Sequence, residues 1–239
     1  MNNIKISKNF KLKEFADIDG RVKIHPYLVM QVQKFRDLVG MPVIITRGYV
    51  SKDRARKIKL STSSANVQGK GVDISIINLK KKYTNQQLID IARKCNFKNI
   101  QIYNGNTMHL EVIAANETMN KIKLSKNFSL HEFECKNGDR ECMVHSKLLS
   151  TLQKYRDTLG RPLVITSGYR TPAHDKSVGG SGKGQHTKGT AVDIRLSSIG
   201  TNVDNAARIA ERVGFDGIGK YRTHIHVDTR GYRSRWDYR

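Results

Sequence analysis

Leu148, Leu149, Leu152, Tyr155 and Leu159 recur at the three- and four-residue spacing of one helix face, and the run stops at Gly160 with Pro162 just beyond. That spacing predicts a helix. Leu163-Val-Ile-Thr166 is a short apolar, β-branched run closed by Ser167-Gly168, the pattern of a strand entering a turn. Further on, a helical pattern spans about Val203 to Val213. It is flanked by Thr190-Ala-Val-Asp-Ile194 and His224-Ile-His-Val-Asp228, which alternate with period two. Each of these two strands is expected to present polar side chains on one face.

The same pattern occurs earlier in the chain. Asn3-Ile-Lys-Ile-Ser-Lys-Asn-Phe-Lys-Leu-Lys-Glu-Phe15 returns as Lys121-Ile-Lys-Leu-Ser-Lys-Asn-Phe-Ser-Leu-His-Glu-Phe133 with 9 of 13 positions identical. Residues 31–49 return as 151–169 with 10 of 19 identical. The offset stays between 117 and 120, so the copies differ only by short loop insertions. A period this long implies two tandem domains rather than a solenoid. We place them at 1–119 and 120–239, each an α+β unit.

Composition adds one strong statement. Of 239 residues, 43 are Lys or Arg and 21 are Asp or Glu, a net charge of +22 that calls for a polyanionic partner. The excess is +12 in residues 1–120 and +10 in the remainder, so it is spread over both copies. No apolar run approaches the roughly 20 residues that a membrane span needs, and the opening Met1-Asn-Asn-Ile-Lys-Ile-Ser lacks the apolar core of a secretory signal. Synthesis in the cytoplasm is expected. Cys95, Cys135 and Cys142 are too few for a disulfide scaffold and are expected to be reduced, partly buried thiols, although Cys135 and Cys142 are close enough in sequence to close a loop.

The chemistry concentrates in the second copy. His186 precedes Asp193 by seven residues, and His224, His226 and Asp228 alternate along one strand. His186, Asp193 and His226 together offer two imidazoles and a carboxylate, with a fourth tetrahedral position left for water, which is the open geometry of catalytic zinc. From spacing alone, the two strand histidines equally describe a solvated polar face.

Five ordered motifs go further: Ser167-Gly-Tyr-Arg170, His174-Asp-Lys-Ser-Val-Gly-Gly180, Gln185-His-x-x-Gly-x-Ala-x-Asp193, Gly217-Ile-Gly219 and His224-Ile-His-Val-Asp228. Together they resemble the M15 family of zinc D,D-carboxypeptidases and peptidoglycan endopeptidases, which shares its fold with the hedgehog signalling domain. The resemblance covers roughly residues 121–235. It implies a small, mainly antiparallel sheet with flanking helices and one zinc ion, with His186, Asp193 and His226 as ligands. It further implies His224 as the catalytic histidine that does not ligate and Arg170 as a substrate-side arginine. Asp228 is then a candidate partner fixing an imidazole tautomer, the alternative being an ordinary strand-end salt bridge. Gly184 departs from the family's usual serine without removing a ligand. His174 is a lesser candidate for loop orientation or substrate contact, and His131 and His145 read as structural.

In the first copy Asp73 and His109 match Asp193 and His226. Asn66 stands at the His186 position, Thr107 at the His224 position and Val50 at the Arg170 position. Asn is a poor zinc ligand, so this copy is expected to be an inactive peptidase-like domain that binds the same polymer, braces its partner or retains residual activity.

The function expected from the whole is hydrolysis of the peptide part of peptidoglycan by a cell-wall lysin of phage or prophage type. An endopeptidase is favoured over a D-Ala-D-Ala carboxypeptidase, with peptidoglycan and anionic wall polymers as partners and the wall, after release, as the site of action. The alternatives are a non-catalytic basic wall-binding module and, less favoured, a sequence-independent nucleic-acid binder. The latter rests on charge alone and leaves the histidine–aspartate constellation unexplained.

Overall fold

The computed structural model describes residues 2–239, which divide into two compact units: Asn3–Ile122, and Lys123–Arg239 joined by Asn2. Among the described residues no helix is long and apolar enough to cross a membrane.

The first unit runs α1 (Pro26–Val39), β1 (Ile44–Arg47), α2 (Lys52–Lys57), α3 (Ala65–Gln68), β2 (Gly71–Ser75), α4 (Asn85–Lys94), β3 (Asn99–Tyr103) and β4 (Thr107–Glu111). The second runs α5 (Ser146–Leu159), β5 (Ile165–Ser167), α6 (Pro172–Ser177), β6 (Ala191–Arg195), α7 (Leu196–Ile199), α8 (Val203–Val213), β7 (Gly217–Tyr221), β8 (His224–Asp228) and β9 (Ser234–Tyr238). The sheets are ordered β1-β2-β4-β3 and β5-β6-β8-β7-β9. Every pairing is antiparallel except β7 with β9, which run parallel.

The long helices form for the same local reasons in both copies. His25 and His145 cap α1 and α5, each ring Nδ1 accepting a backbone N–H two residues on. Gly40 and Gly160 end these helices in the left-handed conformation, at φ 63° and 67°, where a side chain is disfavoured. Their apolar faces are buried, α1 lying against α4 and α5 against α8. In the second unit Leu148, Leu152 and Tyr155 are buried, and Tyr155 meets Phe215 edge-on at 5.7 Å while donating its hydroxyl to Ala206 O. The helix predicted over Val203–Val213 is α8, which buries Val203, Ala206 and Ala210.

Two strands were not legible from alternation, β7 and β9. The strand expected over Leu163–Thr166 begins later, at Ile165, and its register slips between Ile165 and Ser167. Leu163 is in the core while Val164 is exposed, its carbonyl accepting from the Arg195 N–H. All three cysteines are buried rather than partly so, and burial pushes the Cys95 thiol up to about 11.

The turn after β1 and after β5 is pressed onto a short 3-10 turn, with Tyr49 N–H donating to Phe15 O and Tyr169 N–H to Phe133 O at 2.8 and 2.9 Å. Gly48 and Gly168 lie at this contact, and a Cβ on either would collide with the Phe15 or Phe133 backbone. Backbone has little room to yield, so Gly48→Ala and Gly168→Ala should each destabilise their own unit by about 2 kcal/mol or more, read as a lowered denaturant midpoint.

Candidate metal and active site

The register of β6 on β8 sets the site. It places Asp193 directly opposite His226, while Ser167 of β5 and Gly219 of β7 lie alongside in the neighbouring strands. His186 enters from a one-turn 3-10 segment, His186–Lys188, that ends at the left-handed Gly189. His186, Asp193 and His226 are all buried, at 6%, 6% and 8% exposure.

Their hydrogen bonds determine which atoms face each other. His186 Nδ1 is 2.7 Å from Gly168 O, an acceptor only, so Nδ1 carries the proton and Nε2 presents a lone pair. His226 Nε2 is 3.0 Å from Asp228 Oδ2, so Nε2 is the protonated atom and Nδ1 presents the lone pair. Those two lone pairs lie 3.2 Å apart, and Asp193 Oδ1 is 3.2 Å from the first and 2.9 Å from the second. Three buried acceptors converging with no donor among them need a cation or a proton. The protein alone can answer only with a proton: burial would lower the His226 pKa, but the Asp193 and Asp228 carboxylates raise it. Burial would likewise raise the Asp193 pKa, but the two imidazoles drive it well below the usual carboxylate range. These three are the cluster of His, Cys, Asp and Glu among the described residues whose ligand atoms lie within 4.8 Å of one another. Two imidazoles and a carboxylate fit zinc.

A further layer of residues holds these ligands. Asp228 is fully buried behind His226 and is gripped by the Arg230 side chain with contacts of 2.6–3.0 Å. Burial works against its charge, yet His226 and Arg230 keep its pKa at about 2. Arg170 donates to Asp193 Oδ2 at 2.7 Å, to Ser167 Oγ at 2.8 Å and to Asp175 Oδ1 at 3.3 Å. Sequence reasoning placed Arg170 toward the substrate. In the structure it lines the cavity and also fixes the outer oxygen of Asp193.

His224 lines the same cavity of about 380 Å³, with Tyr221 and Trp236. It stacks on Tyr221 with centroids 4.3 Å apart at 12°, and Trp236 Nε1 donates to the Tyr221 hydroxyl at 3.0 Å. Burial lowers the His224 pKa; the Asp193 charge opposes this, and His226 and Arg170 reinforce it. The net result favours a neutral ring.

Asp175, Tyr221, Arg230 and Trp236 were missed by sequence reasoning. Asp175 lay within a quoted motif. Buried at 3%, it accepts from the Gly182 N–H, and its carboxylate fills the space a Cβ on Gly180 would take. Its neighbour His174 is held by its backbone N–H on Thr171 Oγ1. His145 is a helix cap, and His131 is part-buried, its Nδ1 lacking a partner.

The first copy keeps the scaffold and changes the donors. His109 Nδ1 meets Asp73 Oδ1 at 2.7 Å. Asn66 Nδ2 donates to Gly48 O at 3.1 Å, as His186 does to Gly168 O. Thr107 stands where His224 does. Val50 is buried with Ala55 and Val67, an apolar cluster where the second copy has the Arg170 network. Arg47 approaches Asp73 Oδ2 at 3.4 Å from three residues earlier than the Arg170 position.

A family model described as peptidase M15 matches the chain twice, over residues 8–111 and 126–228. The chain belongs to the M15 peptidase family. It carries two M15 copies in tandem, and membership makes it a metallopeptidase of a zinc-dependent family. No curated protein matches the chain at a significant level.

Elemental analysis of purified protein should find one zinc per chain, and none after His186→Ala. Asp228→Ala, which leaves the His226 tautomer unfixed, should weaken zinc affinity by about 10–100-fold. Two zinc ions per chain would show that Asn66, Asp73 and His109 also hold metal.

Proposed function

We propose that the second copy hydrolyses the peptide part of bacterial peptidoglycan, as an endopeptidase of a phage- or prophage-type lysin that acts on the wall after release, and that the first copy is catalytically inactive. The observation that carries the peptidase reading is the convergence of three unprotonated ligand atoms of His186, Asp193 and His226 in a cavity that also holds a neutral imidazole, His224. A zinc ion held by those three, when bound, supplies Lewis acidity for the scissile carbonyl and brings the pKa of water toward neutrality. No Ser or Cys nucleophile is then required.

The side chains divide the remaining work. His224, neutral and braced by Tyr221, accepts a proton during attack and returns it to the leaving amine. Arg170 keeps Asp193 Oδ1 turned toward the two imidazoles and adds fixed positive charge beside the carbonyl oxygen that becomes negative. Asp228 and Arg230 hold the His226 ring in the tautomer that presents Nδ1. The net charge of +22 favours an intact wall carrying anionic polymers over a small soluble peptide, which supports the endopeptidase reading.

Zinc-loaded protein should release new amino groups from purified bacterial walls. His224→Ala should lower that rate by about 10²–10⁴-fold with its zinc retained, which separates a proton-transfer role from a ligand role. Walls that yield no new amino groups with the zinc-loaded protein would overturn the reading.

A further inference from the structure

The two copies treat the same sheet edge differently. In the second, β9 lies parallel along β7, and Trp236 covers Gly219 so closely that a Cβ there would overlap the indole. The indole also reaches the His226 ring, with centroids 5.2 Å apart. In the first copy, β3 is the counterpart of β7, and among the described residues no strand pairs with its outer edge. The positions of Gly217 and Gly219 are taken by Asn99 and Gln101. Without an overlying tryptophan, the cavity beside Asp73 and His109 opens to about 620 Å³.

This cavity is polar and organised. Asn99 Nδ2 donates to Glu111 Oε2 at 3.0 Å and the Tyr103 hydroxyl donates to Gln101 Oε1 at 2.6 Å, which fixes both amides and leaves Asn99 Oδ1 and Gln101 Nε2 unengaged. Asn66 is only 3% exposed, and its Nδ2 is spent on the carbonyls of Gly48 and Gly71. Its Oδ1 has no protein partner and is reached by solvent at the cavity wall, an acceptor available to a ligand there. Asp73 is already paired by His109 and Arg47, so no metal is called for. Arg47, 44% exposed in its side chain, retains guanidinium nitrogens for an anion.

We propose that this groove is a non-catalytic binding site for the wall peptide. An extended peptide lies along the open edge of β3, where the second copy seats β9. Its amide groups pair with Asn99 and Gln101, and its remainder crosses the cavity to Asn66, where a carboxylate meets Arg47 on β1 at the opposite edge of the sheet. Strand addition supplies the backbone contacts and the flanking side chains the selectivity. The inference rests on the reading of wall peptide as the substrate. It makes the first copy a second grip on the polymer, raising the effective concentration of the active copy at its target.

The test uses the full chain carrying His224→Ala, so that bound peptide stays intact, titrated calorimetrically with the soluble peptide that an amidase frees from purified walls. Two peptides per chain are expected. Asn99→Ala with Gln101→Ala should reduce this to one and lower retention on insoluble walls at least tenfold. Gln101→Trp, which places an indole over the groove where Trp236 lies in the second copy, should do the same. Both sites are exposed, and an unchanged unfolding midpoint shows that loss of binding is not loss of fold. A stoichiometry untouched by these variants, or a site filled instead by peptide-free glycan or by a second copy of the chain, would overturn the proposal. The two readings fail separately: uncut walls with a peptide site lost in the groove variants count against the peptidase only, and cut walls with unchanged stoichiometry count against the groove only.

Discussion

Three lone pairs pointed at one another inside a protein are an electrostatic liability, and the second unit is built around keeping them so. The pairing of β6 with β8 sets Asp193 against His226, and the turn holding His186 donates that ring's proton to Gly168 O, which leaves Nε2 bare. Nothing in the protein relieves the convergence except a proton. The arrangement is therefore held ready for a cation, and its cost is carried by the well-paired residues behind it: Asp228 with Arg230, and Asp193 with Arg170.

The tandem repeat lets the same scaffold be seen with and without that liability. The 3-10 turn pressed on a glycine, the histidine cap and the glycine stop of the long helix recur in both copies. What changes is the donor set. An asparagine that donates to the same carbonyl replaces His186, and an arginine arriving from Arg47 replaces one from position 170. In the first site His109 and Arg47 pair with Asp73, whereas in the second three acceptor atoms converge. The changed donor set leaves the cavity open, because the strand and the indole that narrow the second site have no counterpart in the first among the described residues.

Much of this was legible in the residues. The 3.6-residue period placed α5 and α8, and the repeat exposed two domains. The five ordered motifs pointed to His186, Asp193 and His226 before any geometry was known. β7 and β9 were not legible, because Gly217-Ile-Gly219 carries two glycines, which strands disfavour, and Ser234–Tyr238 offers only Trp236 and Tyr238 in alternation. Both are strands for reasons outside themselves: β7 needs its glycines to clear Asp228 and Trp236, and β9 pairs with an edge offered by β7.

The sequence by itself determined α5 and α8, the repeat, the family and the residue types that converge at the candidate site, because hydrophobic period and residue chemistry are local properties. Only the tertiary structure decided which nitrogen of each histidine faces the metal position, that Arg170 grips Asp193, that Tyr221 and Trp236 brace His224, and that the first groove is open. Each of these depends on strand register and on the partner that a side chain meets across the sheet, and neither is encoded at the position itself.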